Sequence, residues 1–323
     1  MERKKKAHKG SLGFGTAAIG RPQYINIKND DDSIMSLKSF KEKGLKLLDE
    51  AYYNGIRYFD TAPGYGMAEE LIASWIVEKC EPDIEVATKW GYTYVANFDP
   101  SATIHEVKEH SLSKLNEQWA QSKPMLPFLS TYQIHSATLE TGVLKNSKVL
   151  NRLAELKEQY GLLIGITTTG ANQGEVLKEA MDVEVEGQTL FDAFQVTYNI
   201  FDQSLRNIAN MSSSYSKRII IKEALANGRI FSNNSYPNYS KSYSLLEKMS
   251  LKYDVGVDAI ALRFCMDTID AYQVLSGASF STHLQGNIKT LSFELDSGDI
   301  ELLKGLAVSP YKYWEERKLL GWN

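Results

Sequence analysis

The chain is poor in cysteine: Cys80 and Cys265 are the two thiols among 323 residues. A pair so far apart in sequence builds neither a disulfide framework nor a four-ligand metal cluster. Such sparse cysteine suits a reducing compartment, and the expected localisation is cytoplasmic. Positive charge is not in excess either. Lys and Arg number 36 against 40 Asp and Glu, a net charge of −4. That leaves no broad basic surface for phosphates, so nucleic acid is not an expected partner. No apolar run approaches the about 18 residues of a membrane span, so no membrane partner is expected. The start, MERKKKAHKG, is basic with no apolar stretch behind it, unlike a signal peptide. Residues 1–10 are expected to be a basic, flexible tail. No His, Asp or Glu group has metal-ligand spacing, so no metal is expected.

What is present is a repeat of short β-rich runs: LGFGTA (12–17), IRYFD (56–60), IEVATK (84–89), FLSTYQIH (128–135), LLIGITT (162–168), AFQVTYN (193–199), RIIIKE (218–223) and YQVLSGA (272–278). Ile, Val, Tyr and Thr enrich them, and several are apolar without alternation, as in strands buried on both faces. Helix-period stripes lie between them: Ala68, Leu71, Ile72, Trp75 and Ile76; Val149, Leu153, Leu156 and Tyr160; Val176, Leu177, Ala180 and Met181. Strand–helix alternation implies parallel strands with right-handed crossovers. Eight units favour a closed (β/α)8 TIM barrel in a single α/β domain over 11–323, with an open doubly wound sheet as the alternative. Two long connections, 224–242 and the aromatic C-terminal tail 307–323, are expected above the active-site rim.

The polar residues at the strand ends carry the chemistry. Asp60 ends the second run, with Tyr65 in the following loop. Lys89 ends the third, His135 the fourth and Lys222 the seventh, and Gln195 lies in the sixth. Barrel sites are assembled at this C-terminal rim, so these side chains should converge. A phenol with a pKa near about 10 is a poor proton donor at neutral pH. A nearby ammonium lowers that value, and a carboxylate keeps the ammonium charged and placed. Tyr65, Lys89 and Asp60 can fill those roles, with His135 orienting a substrate oxygen. Such a set fits proton transfer to an oxygen that gains charge as hydride reaches carbon. Asp60 can also cap a turn, and Lys222 with Glu223 also reads as a solvated ion pair. His8, His105 and His110 read as tail or helix-surface residues.

The strings LGFGTAAIG, FDTAPGYG, EVATKWGY, TYQIHS, FQVTYN and SGASFSTHLQGNI resemble, in order, the motifs of the aldo-keto reductases. The resemblance implies a (β/α)8 barrel that binds NADP(H), or else NAD(H), along its rim. It implies a small-molecule aldehyde, ketone, sugar or alcohol substrate. It makes Tyr65 the general acid/base, tuned by Lys89 and Asp60, with His135 orienting the carbonyl. It places Gln195 at the nicotinamide carboxamide, Gly277 at the phosphates and Asn287 near the adenine. NADP(H) is favoured on the family's habit. Further cofactor contacts are expected from Gly15, Thr16, Asp60 and Lys222.

The chain departs from the family at three places. Thr167 and Thr168 stand where many members hold the carboxamide with a Ser-Asn pair. Lys222 stands where many carry an aromatic that stacks on the nicotinamide. His283 and Lys289 are offered where a Lys or Arg grips a 2′-phosphate. Trp90, Tyr92, Tyr313 and Trp314 are candidates for the substrate wall. Gly13, Gly15 and Ala18 match a G-x-G-x-x-A pattern, but the residues after Ala18 do not read as the required helix, so the glycines are taken as permitting close backbone approach. Two rivals stand beside the oxidoreductase reading. One is a cofactor-binding redox sensor or accessory subunit with negligible turnover. The other is a barrel hydrolase or aldolase, which needs a metal or a Schiff-base lysine.

Overall fold

Eight strands alternate with helices in the computed structural model, which describes residues 11–22, 36–99, 101–207 and 217–322. The tail over 1–10, with His8, lies outside the described residues. The strands are β1 (Ser11–Gly15), β2 (Tyr58–Asp60), β3 (Glu85–Trp90), β4 (Leu129–Ala137), β5 (Leu163–Thr168), β6 (Ala193–Thr197), β7 (Arg218–Lys222) and β8 (Gln273–Ser276). Each pairs in parallel with its neighbour in sequence, and β8 pairs with β1, which closes the barrel. The (β/α)8 reading of the sequence is the fold.

A period of two sorts the strand residues. Tyr58, Ala87, Ala193, Ile220 and Leu275 form one small apolar cluster. Their immediate neighbours Phe59, Val86, Phe194, Ile221 and Val274 join the large cluster beneath the helices. Successive side chains point to opposite faces of a strand, so the first set fills the barrel and the second supports the outer layer. The helical stripes bury as their spacing predicts: Leu71, Ile72, Trp75 and Ile76 on Ala68–Lys79, Val149, Leu153 and Leu156 on Ser147–Tyr160, and Val176, Leu177 and Ala180 on Gln173–Met181. Ser36, Ser111, Asn146 and Ser309 each accept a backbone N–H in the first turn of the helix they precede, satisfying donors that have no intrahelical partner.

One local expectation is corrected. A single helical turn, Ala17–Gly20, begins within the GFGTAA string and runs two residues past it. It leaves a strand of a closed barrel rather than of an open sheet, so the string is still not a dinucleotide fingerprint of the strand–turn–long-helix kind. Among the described residues no helix is long and apolar enough to cross a membrane.

Candidate active site

The same period of two lifts a second layer above the apolar plug. Asp60 stands two residues beyond Tyr58, Lys89 beyond Ala87, Gln195 beyond Ala193, Lys222 beyond Ile220 and Gly277 beyond Leu275. Asp60, Lys89, Lys222 and Gly277 lie at or near the C-terminal ends of their strands or just past them, and Gln195 lies in the middle of β6. Asp60, Tyr65, His135, Gln195, Lys222 and Gly277 line one cavity of about 500 Å³. Lys89 sits below its floor, fully buried.

The buried pair organises the floor. Lys89 Nζ donates to Asp60 Oδ2 at 2.5 Å and to the Thr61 carbonyl at 3.0 Å. Gln195 Nε2 donates to Asp60 Oδ1 at 2.7 Å. The Lys89 ammonium also lies 4.8 Å from the centre of the Tyr65 ring. Tyr65 Oη meets His135 Nε2 at 3.3 Å, and the two rings stand edge to face with centroids 5.3 Å apart. The four residues singled out by strand position are therefore brought together.

Close backbone approach positions the tyrosine loop. Gly66 has φ +64, and a Cβ there would stand 2.4 Å from the Gly20 carbonyl oxygen. A Cβ on Gly20 would stand 2.0 Å from the Tyr65 carbonyl oxygen. Only glycine fits either place. The Met67 N–H donates to the Gly20 carbonyl at 2.8 Å, which pins the loop to the turn after β1.

The electrostatics correct one expectation. Burial pushes the Tyr65 phenol well above its ordinary value, the Asp60 charge adds to that, and Arg21 opposes it. The net direction is up, whereas the sequence pattern assigned Lys89 to bring it down. The reason is that burial outweighs the cations around the ring. Burial, then Lys89, Lys222, Arg21 and His110, hold His135 well below its usual value. His135 is thus a neutral imidazole, able to donate from one nitrogen.

Other expected contacts are redistributed. Gly15 and His283 line the cavity, but Thr16, Thr167, Thr168 and Asn287 do not. Thr16 Oγ1 is spent on the Asp60 carbonyl, Thr167 Oγ1 on the Ser136 N–H and Thr168 Oγ1 on Gln173. Asn287 bridges Ser276 and Asp258. Thr169, one step further, is the threonine on the cavity wall. The aromatic wall is absent from the cavity too. Trp90 is fully buried edge-on against His110, and Tyr92 supports the His135 ring. Tyr313 receives a bond from Asn199, and Trp314 donates to Asp202. The polar tips of Tyr313 and Trp314 found inward partners, and so turned from the cavity. His105 and His110 are not surface residues: His105 stacks on Trp322, and His110 Nε2 bonds the His135 carbonyl at 2.9 Å. Lys222 and Glu223 are not a solvated pair. Both line the cavity; Glu223 binds Arg317, and Lys222 donates to Thr197 Oγ1 at 2.8 Å.

Several site residues escaped the sequence reading. Arg21, buried, donates to the Gly64 carbonyl at 2.9 Å and to Glu106 Oε2 at 3.0 Å, and sits 5.6 Å from the Tyr65 ring centre. Arg317 enters the wall from the C-terminal helix Pro310–Lys318. From the 224–242 connection come Leu225, Asn227, Gly228, Phe231, Ser232 and Asn233. At the far end, Lys43 and Phe280 line the cavity, with Lys43 Nζ 3.3 Å from the Phe280 ring centre.

That far end suits the phosphates of a dinucleotide. A Cβ on Gly277 would meet nothing within 4 Å, so the wall there is open to a ligand. The helix Ser281–Ile288 begins beside it with no side-chain cap and no acidic residue in its first turn. Its first N–H groups and the nearby Lys43 and His283 favour an anion. The donor set fits. Among the described residues no group of three His, Cys, Asp or Glu side chains is arranged to hold a metal ion.

Residues 11–308 match the model of the aldo/keto reductase family. The chain is 24% identical over 279 residues to the uncharacterized oxidoreductase YqkF of Bacillus subtilis (strain 168), covering 79% of this chain and 84% of that protein. It is 21% identical over 323 residues to the NADH-specific methylglyoxal reductase of Escherichia coli (strain K12), covering 92% and 94%. Among solved structures it resembles the holo form of the aldo-keto reductase AKR11C1 from Bacillus halodurans. The TM-score is 0.68 at 19% identity, covering 93% of this chain and 92% of that one.

Proposed function

The chain belongs to the aldo/keto reductase family, and on that premise we propose that it transfers a hydride between a nicotinamide dinucleotide and an aldehyde, ketone or sugar carbonyl, or the matching alcohol. The observation that carries this reading is the Tyr65–His135 contact at 3.3 Å over the Lys89–Asp60 pair. When bound, the dinucleotide supplies the hydride. Gly15, Gln195, Gly277, Lys43 and His283 would hold it, with Thr169 in place of Thr167 and Thr168. A carbonyl oxygen placed between Tyr65 Oη and His135 Nε2 receives a hydrogen bond from each. As charge develops on that oxygen, Tyr65 gives it the proton. His135, neutral, orients the oxygen and does not compete as an acid. The Asp60–Lys89–Gln195 network holds the floor rigid beneath both.

NADP(H) is the favoured dinucleotide, on the family's habit and on the Lys43 ammonium at the cavity's far end. NAD(H) is the second reading, and the name of the Escherichia coli relative favours it. A Schiff-base role for Lys89 is disfavoured by its burial and its three-way hold by Asp60, Thr61 and the Tyr65 ring. The test is a screen of aldehydes and sugars with NADPH and NADH, read by cofactor consumption. Steady turnover with at least one carbonyl is expected. Tight dinucleotide binding with no turnover across the panel would leave a redox sensor in its place.

A further inference from the structure

Charge around the reacting end of the cavity does not balance locally. Arg21 faces Glu106 at 3.0 Å, Arg317 faces Glu223 at 3.0 Å, and Lys89 faces Asp60 at 2.5 Å. The remaining cation there is Lys222. Its Nζ donates to the Thr197 hydroxyl at 2.8 Å, and among the described residues no carboxylate is in ion-pair contact with it. Glu223 and Asp202 act on Lys222 through space, with Arg317 and Lys89 opposing them, and the hydrogen bonds of Glu223 Oε1 go to the Arg317 guanidinium. Lys222 lines the same cavity as Tyr65 and His135. Its charge is felt at His135, where it is among the cations that keep the imidazole neutral. A substrate oxygen between Tyr65 and His135 therefore sits within reach of a positive field from Lys222. The Trp314 ring centre lies 6.0 Å from Lys222 Nζ, and Trp314, which donates to Asp202, does not itself line the cavity.

Resting on the hydride-transfer reading, we propose that the substrate is an aldehyde or ketone that bears an anionic group, a carboxylate or a phosphate ester, and that Lys222 binds that group. A cation held in a partly dry wall by one hydroxyl has donor capacity left for such a group, and an ion pair made there is little screened by salt.

Matched pairs test this: succinate semialdehyde against butanal for the carboxylate, and glyceraldehyde 3-phosphate against glyceraldehyde for the phosphate ester. The readout is the ratio of kcat/KM, charged over neutral, within each pair, together with the dinucleotide Kd from fluorescence titration. In the wild type at least one ratio should exceed about 10, since a hydrogen bond to a charged group is worth about a tenfold or larger preference. Whichever pair shows it identifies the anionic group. Lys222→Met should collapse that ratio by about 10- to 100-fold, and Lys222→Arg should restore most of it. Should Lys222→Met fold poorly, Lys222→Arg and the salt dependence of the wild-type ratio serve instead, the ratio falling as KCl rises. A ratio near one, or one unchanged in Lys222→Met, overturns the proposal. So does a Lys222→Met variant whose dinucleotide Kd weakens while the ratio stands, for Lys222 would then hold the cofactor. If none of the four aldehydes oxidises the dinucleotide while another carbonyl of the wider screen does, this inference fails and hydride transfer stands; silence across the whole screen overturns both.

Discussion

Replacing Tyr65 by Phe removes a single hydroxyl, and the structure separates its two consequences. Among the described residues the hydroxyl has one hydrogen bond, to His135 Nε2 at 3.3 Å, longer than the usual range for a strong contact. Its net worth to stability is at the low end of about 0.5–1.5 kcal/mol. The ring keeps its edge contact with His135 and its place beside the Lys89 and Arg21 cations. The fold should therefore lose about 1 kcal/mol or less. Catalysis should lose far more. A positioned proton donor contributes about 10²–10⁴ in rate, equivalent to about 2.7–5.4 kcal/mol of barrier. The catalytic term wins at either end of these ranges. The assay is steady-state oxidation of the reduced dinucleotide with the best aldehyde, set beside its Kd from fluorescence and a urea unfolding curve. The expected variant has kcat down at least about 100-fold with Kd and unfolding midpoint little changed. A variant that reduces its aldehyde at near wild-type rate refutes Tyr65 as the proton donor. One in which kcat holds and Kd weakens would make Tyr65 part of the cofactor wall.

The same geometry sets three further outcomes. Lys89→Met leaves the Asp60 carboxylate buried beside Gln195 and should destabilise by about 3–5 kcal/mol, while the double variant with Asp60→Asn should recover most of that; urea midpoints of the three proteins decide, and a single variant as stable as wild type would contradict the buried pair. Gly277→Val puts a side chain into open cavity space without strain on the backbone, so dinucleotide Kd should weaken at least about tenfold with an unchanged unfolding midpoint; unchanged Kd would move the phosphate site elsewhere. Burial lowers His110 from 6.5 to about 4, so the unfolded chain takes up this proton first and stability is lost as pH falls from 6.5 towards 4, by up to about 3 kcal/mol. His110→Gln, which keeps a donor for the His135 carbonyl, should flatten that slope in urea melts, and an identical slope would clear His110 of it.

The parts of this site legible in the sequence are those carried by strands. Asp60, Lys89, His135 and Gln195 are polar residues near the ends of apolar runs, and strand ends in a barrel share one rim. The same period would have separated the threonines. Gly165 packs against Gln133 and Ala193 inside the barrel, so Thr167 and Thr169 share its side, and Thr169, higher, reaches the cavity. What strands do not carry was not legible. Arg21 meets Glu106 across 85 positions of sequence, a pairing set by where two loops cross the rim. The C-terminal aromatics looked like a substrate wall because tails often cover barrel mouths. Their direction was decided by Asn199 and Asp202, which offered buried partners to Tyr313 and Trp314.

The division of labour beneath the tyrosine differs from a lysine that simply acidifies a phenol. Burying an ammonium and a carboxylate is costly, and their attraction offsets this only when the remaining hydrogen-bonding sites are satisfied. Lys89 and Asp60 meet that condition through Thr61 and Gln195, which ties the tops of β2, β3 and β6 into one floor. Lys89 holds the Tyr65 ring from below at 4.8 Å, while burial and the Asp60 charge keep the phenol protonated. A phenol kept protonated is what carbonyl reduction needs, because the alkoxide formed as hydride arrives is a far stronger base than a phenolate and takes the proton downhill. Alcohol oxidation needs the opposite, a phenolate, and burial and Asp60 both resist it. The cation that lowers the cost of the phenolate is Arg21, on the outer side of the ring and itself held by Glu106. For the proposed reaction, the floor pair would hold the acid in place, and Arg21 opposes burial and Asp60 at the phenol.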